Sequence, residues 1–216
     1  MSILDRTVDT ERILLKESRP SDVKEAILRE STRLFLANGF RGTSVKEITE
    51  AVGIGRGTLY WYFKSKDEIL LTIFHKFENE MLDRLIEALR PLKADFVAKY
   101  KFLHKFTTEF ARDNRELSLA FHTLSSEMAG THTEAEKVAK GVHDKFRLIM
   151  KGLLDEGKKN GSIKKDLPSP LYAHVIVAHH HGMLFQWLTS GDSLDARDFA
   201  KATRDFILKG ILKKNS

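Results

Sequence analysis

Between Thr43 and Lys66 the chain reads Thr-Ser-Val-Lys-Glu-Ile-Thr-Glu-Ala-Val-Gly-Ile-Gly-Arg-Gly-Thr-Leu-Tyr-Trp-Tyr-Phe-Lys-Ser-Lys. This stretch limits the possible folds more than any other. Ser44 and Glu47 stand at Ser-x-x-Glu spacing, at which hydroxyl and carboxylate each satisfy a free amide of a starting helix. Val45, Ile48 and Val52 follow at helical intervals, Gly53 closes the helix, and Ile54 plugs the turn. A second helix begins near Gly55 or Arg56, with Leu59 and Phe63 four apart on its core side. The spacing predicts two short helices crossing tightly. Arg56, Thr58, Tyr60, Trp61 and Tyr62 are then left facing outward, and aromatic, hydroxyl and basic groups on one exposed helix suit a DNA-reading element.

The remainder of the chain supplies support. Ser21 or Asp22 is the expected N-cap of a first helix carrying Val23, Ile27, Leu34 and Phe35 and ending at Asn38-Gly39. Ser65 caps a fourth, long enough to run through Ile69, Ile73, Phe77, Met81, Leu85 and Leu89 to Pro91. Three further helical segments follow, around Phe96–Phe110, Leu117–Met128 and Val138–Leu153, punctuated by Asp113-Asn114, Gly130-Thr131 and Lys159-Asn160-Gly161. No alternating strand pattern bounded by turns is read anywhere. Leu171 to Leu188 is apolar on more than one face, and a last helix opens at Asp195 and closes in Lys-Lys. A helix that is apolar on two sides needs covering on two sides. A second copy is the economical cover, which places Val175, Gly182, Phe185, Phe199 and Phe206 at the expected dimer interface.

The expected architecture is therefore all-α. Residues 1–20 form an N-terminal extension, 21–66 a small three-helix helix-turn-helix DNA-binding domain, and 67–216 a larger helical bundle for effector binding and dimerisation, about nine helices in all. The formal charge of +6 and pI of about 9.4 favour polyanionic partners, nucleic acid first. With no cysteines there are no disulfides, thiolate zinc sites or cysteine nucleophiles. Neither a secretory signal nor a run of about 18 to 20 apolar residues is read, so a cytoplasmic location without membrane contact is expected.

The stretch from Val23 to Leu70 resembles the TetR family of bacterial transcriptional regulators. The residues that carry this are Phe35-x-x-x-Gly39-Phe40, Thr43-Ser44-Val45-x-x-Ile48, Gly53-Ile54 and Gly57-Thr58-Leu59-Tyr60-x-Tyr62-Phe63-x-Ser65-Lys66. The resemblance implies a regulator, most often a repressor, that binds a palindromic operator as a dimer and is released by a small molecule. Its recognition helices would lie about one DNA turn apart, roughly 34 to 36 Å. It places Thr43, Ser44, Lys46, Tyr60, Tyr62 and Lys66 on phosphates, with Arg56, Thr58 and Trp61 reading bases and Gly55 allowing close approach. The chain departs from the family's usual alanine at Thr49 and from its usual serine-like cap at Gly55.

Other constellations carry less. Gly53-Ile-Gly55-Arg-Gly57 follows a capped helix and not a strand, so it is no dinucleotide fingerprint, and no Walker, HExxH or nucleophile-elbow pattern is present. The expectation is a protein that is not an enzyme and needs no cofactor. Nine histidines include His179-His180-His181, whose side chains point three ways on a helix. A metal site between helices, and with it a metal-dependent enzyme, is the alternative, and the plainer expectation is a polar corner of a cavity or dimer seam. Phe102, Phe106, Phe110, Phe121, Leu124, Met128, Phe146, Met150 and His180 are the expected lining of a pocket for a largely apolar effector, ordinary core being the alternative.

Overall fold

The computed structural model describes residues 20–190 and 193–212. The N-terminal extension up to Arg19, the pair Gly191 and Asp192, and the closing Lys-Lys lie outside the described residues. Among the described residues nine helices follow one another: α1 (Pro20–Gly42), α2 (Val45–Val52), α3 (Arg56–Tyr62), α4 (from Lys66 to Leu89), α5 (Phe96–Asp113), α6 (Arg115–Met128), α7 (Glu134–Lys159), α8 (Ser169–Thr189) and α9 (Ala196–Ile211). Among the described residues the only extended pairing is an isolated bridge between Ile163 and Leu212.

The first three helices form a helix-turn-helix region. Gly39 sits at φ 77° and ψ 162°, which breaks α1 where Asn-Gly predicts a stop and turns the chain toward α2. The capping box forms as spaced: Glu47 N donates to Ser44 Oγ at 3.2 Å, and Ser44 N to Glu47 Oε2 at 2.7 Å. Gly53 adopts the left-handed conformation that ends α2, its N–H donating to Glu50 O and Thr49 O. Thr49, the departure from alanine, is buried and donates its hydroxyl to Lys46 O at 2.9 Å, so the extra polar group is satisfied.

α4 is the rod that joins the two regions. Ser65 caps it by accepting from Glu68 N at 3.1 Å. Midway, Glu78–Asp83 widens into a π turn before α-geometry resumes at Arg84–Leu89. Lys145 of α7 donates to Glu78 Oε1 at 2.8 Å and Asp83 Oδ1 at 2.5 Å, pinning both ends of that turn to the bundle. Such π turns recur at functional sites, and no residue in Glu-Asn-Glu-Met-Leu-Asp announces this one.

One core of buried side chains runs from Val23 in α1 to Ile211 in α9, so the small region is not packed separately from the bundle. Phe121 of α6 stacks on Phe77 of α4 with centroids 4.1 Å apart, and its ring edge meets Phe74 at 5.5 Å. Along α8, Ala173, Ile176, Val177, His180, Met183, Leu184 and Leu188 are buried while Leu171, Val175 and Phe185 are exposed. This is the two-faced helix expected from its composition.

Candidate nucleic-acid interface and bundle cavities

α3 presents one buried side chain, Leu59, and on its outer surface Arg56, Thr58, Tyr60 and Trp61 are exposed. Trp61 is 73% accessible, and together with the exposed Tyr60 beside it leaves an aromatic surface uncovered on α3. Tyr62 is half-buried and meets Trp61 edge to face at 4.6 Å, fixing the indole's direction. Gly55 caps α3 without a side-chain hydrogen bond, and nothing lies within 4 Å of where its Cβ would be. Its bare backbone can therefore approach a duplex closely. Lys46, on the exposed side of α2, pairs with Glu50 at 3.7 Å, a weak surface pair that a phosphate can replace. Ser44 is exposed, and its hydroxyl proton stays available to a phosphate while its oxygen serves the cap.

Two residues expected on phosphates are committed inward. Thr43 is buried, and its hydroxyl donates to Gly39 O at 2.9 Å and Leu34 O at 3.2 Å. Lys66 donates from Nζ to Phe40 O at 2.7 Å and Thr43 O at 2.6 Å, with the ammonium 4.4 Å from the Phe40 ring centre. The Phe40–Thr43 turn has carbonyls that α1 and α2 leave unmatched, and Lys66 satisfies them. These two support the candidate interface from within, while Ser44, Lys46, Gly55, Arg56, Thr58, Tyr60, Trp61 and Tyr62 lie toward its outer side.

Among the cavities of the bundle, two border polar side chains. The first, about 780 Å³, lies between α5, α8 and α9 and is bordered by His104, Thr108, Met183, Trp187, Phe199 and Arg204 among others. The second, about 570 Å³, opens between α6, α7 and α8, bordered by Ser125, Ser126, Lys140, His143, Arg147, His174 and His181 among others. None of the nine residues expected to line an effector pocket borders either. Phe121, Leu124, Met128, Phe146, Met150 and His180 are core, and Phe102, Phe106 and Phe110 are half-buried against it. The physical reason is packing: α4 covers α6 by stacking Phe77 on Phe121, and the other aromatic side chains are taken up by the same continuous core. Phe199, expected at the dimer interface, is half-buried and packs inward beside Met183 and Leu184, whereas Val175, Gly182, Phe185 and Phe206 are exposed as expected.

The histidines gather in the bundle. His181 meets His122 at 5.0 Å and His143 at 4.9 Å, and His180 meets His104 at 5.9 Å and the Phe146 ring at 5.4 Å. Burial pushes them toward the neutral form: His122 and His104 down to about 4, His181 to about 3, and His180 well below the ordinary value. Nε2 of His122 and of His180 is buried without a hydrogen-bond partner. Among the described residues no three histidines or carboxylates are arranged to hold a metal ion.

Glu127 carries no mark in the sequence that separates it from other surface acids, yet it joins the two regions. Its carboxylate accepts from Phe40 N at 2.9 Å and Arg41 N at 3.2 Å, just past the break at Gly39. Lys140, His143 and Arg147 were likewise not singled out, although their i, i+3, i+7 spacing sets them on one face of α7.

Residues 27–78 match the family model described as bacterial regulatory proteins, tetR family. The chain is similar over 88% of its length to the uncharacterized HTH-type transcriptional regulator YhgD of Bacillus subtilis (strain 168), with 25% identity covering 97% of that protein. It is 24% identical to the fatty acid metabolism regulator protein of the same organism, over 93% of this chain and all of that one. Among solved structures, the MbdR regulator from Azoarcus sp. CIB superposes with a TM-score of 0.79 at 26% identity, covering 87% of this chain and 98% of that one.

Proposed function

We propose that the chain is a regulator of the tetR family, whose model matches residues 27–78, and that it is a repressor that binds a palindromic operator as a dimer and is released by a small-molecule effector. The observation that carries this reading is the division of labour on α3. Leu59 is fully buried while Arg56, Thr58, Tyr60 and Trp61 stand out on a helix seven residues long. In that reading Arg56, at the leading end of α3, pairs with a guanine edge. Thr58 and Trp61 meet thymine methyls or sugars, and Ser44, Lys46, Tyr60 and Tyr62 hold phosphates.

The second copy sits on α8 and α9. Leu171, Val175 and Phe185 of α8 and Phe206 of α9 are exposed by half or more of their surface or close to it, with Gly182 in the same α8 stripe allowing close helix approach. Cover for this face and a palindromic operator require the same twofold symmetry.

Release follows if the effector prefers one arrangement of the bundle over another. Two links run from the second cavity toward α3. Ser125 and Ser126 border the cavity, and the next residue, Glu127, holds the Phe40–Arg41 amides. Across the same cavity, Lys145 lies between the bordering His143 and Arg147 and holds the π turn of α4. A shift of α6 or α7 on ligand binding would reach the helix-turn-helix region through these contacts. A mobility-shift titration on the DNA flanking its own gene tests the reading. Retardation of that DNA but not of a scrambled duplex is expected, and equal retardation of both would defeat it.

A further inference from the structure

The cavity between α6, α7 and α8 has a chemistry the apolar core around it does not. On α7, Lys140, His143 and Arg147 recur at i, i+3 and i+7, so all three reach one side of the helix. α8 contributes His174 and His181, seven apart, and α6 contributes the Ser125 and Ser126 hydroxyls. Behind His181 lies His122, buried, its Nε2 without a hydrogen-bond partner. Three helices therefore bring donors or potential donors to one place, and Ala129, Ala139, Val177 and Ala178 supply small apolar walls beside them.

The acids nearby are already engaged. Glu136, the one carboxylate bordering the cavity, accepts from Gly130 N and His132 N at 2.7 Å each. Those bonds hold its charge at the Gly130–His132 turn and its pKa below the usual range. Asp144 is ion-paired with Arg147, leaving most of the guanidinium fork to a second acceptor. His180, on the far side of His181, is fully enclosed and faces His104. No unpaired carboxylate confronts the basic groups from α6, α7 or α8 among the described residues.

We propose that this cavity is an oxyanion site, which takes the carboxylate or phosphate group of an acidic small molecule with a short apolar body. The inference rests on the ligand-responsive reading above and names the ligand class. Arg147 and Lys140 supply fixed charge, His143 and His181 supply N–H donors, and the serines complete the shell. Desolvation holds His143 and His181 below their ordinary pKa. A bound anion favours their charged forms, so anion binding takes up protons and tightens as pH falls.

Calorimetric titration of the full chain with octanoate, octyl phosphate and octanamide tests this. Octanoate or octyl phosphate binds and octanamide does not, and which of the two binds more tightly tells carboxylate from phosphate. The affinity rises as pH is lowered from about 8 to about 6. Arg147→Gln weakens the anion about tenfold or more, and Lys140→Gln, an exposed change that leaves the core intact, weakens it about twofold or more. Octanamide binding as tightly as the anions, no anion binding at all, or anion affinity unchanged in both variants would overturn the proposal. Operator affinity is measured in parallel. Anion binding that leaves DNA affinity unchanged keeps the site and refutes the release mechanism, whereas DNA binding without anion binding refutes the site alone.

Discussion

Glu127, next to the last residue of α6, accepts the backbone N–H of Phe40 at 2.9 Å, across 87 residues of sequence. The same carboxylate takes the N–H of Arg41, so one side chain satisfies two amides that the break at Gly39 strips from α1. The joint is charge-assisted and partly buried, and nothing else on α6 reaches those amides among the described residues. Glu127→Ala should cost about 1 to 3 kcal/mol of stability, read as a lower melting temperature. Glu127→Gln keeps the size but sets an amide N–H against amide N–H groups, and should lose a similar amount. In both variants ligand should still bind the bundle while its effect on DNA affinity shrinks. Full retention of that effect would show that Glu127 does not transmit it.

Lys66 and Arg56 should separate cleanly. Lys66 holds the carbonyls of Phe40 and Thr43, so Lys66→Ala should lower the melting temperature, leaving the Thr43 carbonyl unmatched and that of Phe40 with only the Thr43 N–H at 3.4 Å. Arg56 is exposed on α3, so Arg56→Ala should melt like the parent. It should relax preference at one base pair by about 1 to 3 kcal/mol, read by competition between single-substituted duplexes. If Lys66→Ala melts normally but flattens the salt dependence of DNA binding, its charge serves a phosphate after all.

The buried histidines make the bundle sensitive to acid. His104 and His122 are held near 4 and His181 near 3, against an ordinary value of 6.5, chiefly by desolvation. In the unfolded chain these imidazoles take up protons near 6.5, while in the folded chain they stay neutral to a much lower pH. The contribution they make is therefore complete above about 6.5 and is lost as pH falls toward about 4, by a few kcal/mol between them. Melting temperature should drop between pH about 7 and about 5, and His122→Gln should flatten that slope whatever its baseline stability. An unchanged slope would mean that these rings are charged or solvated in the fold.

The apolar stripe on α8 and α9 should be the seam between two copies. Phe206 is 71% exposed, its ring resting on that of His179 at 5.6 Å, and a charge there remains open to solvent in a single copy. Phe206→Glu should leave the melting of the isolated fold nearly unchanged while shifting sedimentation from dimer to monomer and cutting operator affinity, since one half-site contributes far less than two. A parent protein that sediments as a monomer at micromolar concentration would remove the premise.

Much of this was legible from residue spacing. The capping box at Ser44 and Glu47, the stop at Gly39, the left-handed Gly53, the cap at Ser65 and the two-faced α8 all follow from local rules, and each forms as spaced. Long-range pairing was not legible. Lys66 reads as a basic residue beside a DNA-facing helix, and only the fold shows that the carbonyls of Phe40 and Thr43 lie within its reach. The aromatic-rich set from Phe102 to Met150 has the composition of a pocket lining, and only the packing of α4 onto α6 decides that Phe121 stacks on Phe77. The basic face of α7 was hidden because Lys140, His143 and Arg147 are polar residues on a long helix, where solvent is the ordinary destination. The π turn at Glu78–Asp83 has no composition of its own, and its pinning by Lys145 is a tertiary fact.

Selection of bound duplexes from a random pool tests the central claim most directly, because it reads function, symmetry and geometry together. Enrichment of an inverted repeat with half-site centres about one helical turn apart or a multiple of it is expected, with loss of one selected base pair per half-site in Arg56→Ala. A pool that stays unenriched, or a single asymmetric site bound by a monomer, would contradict it.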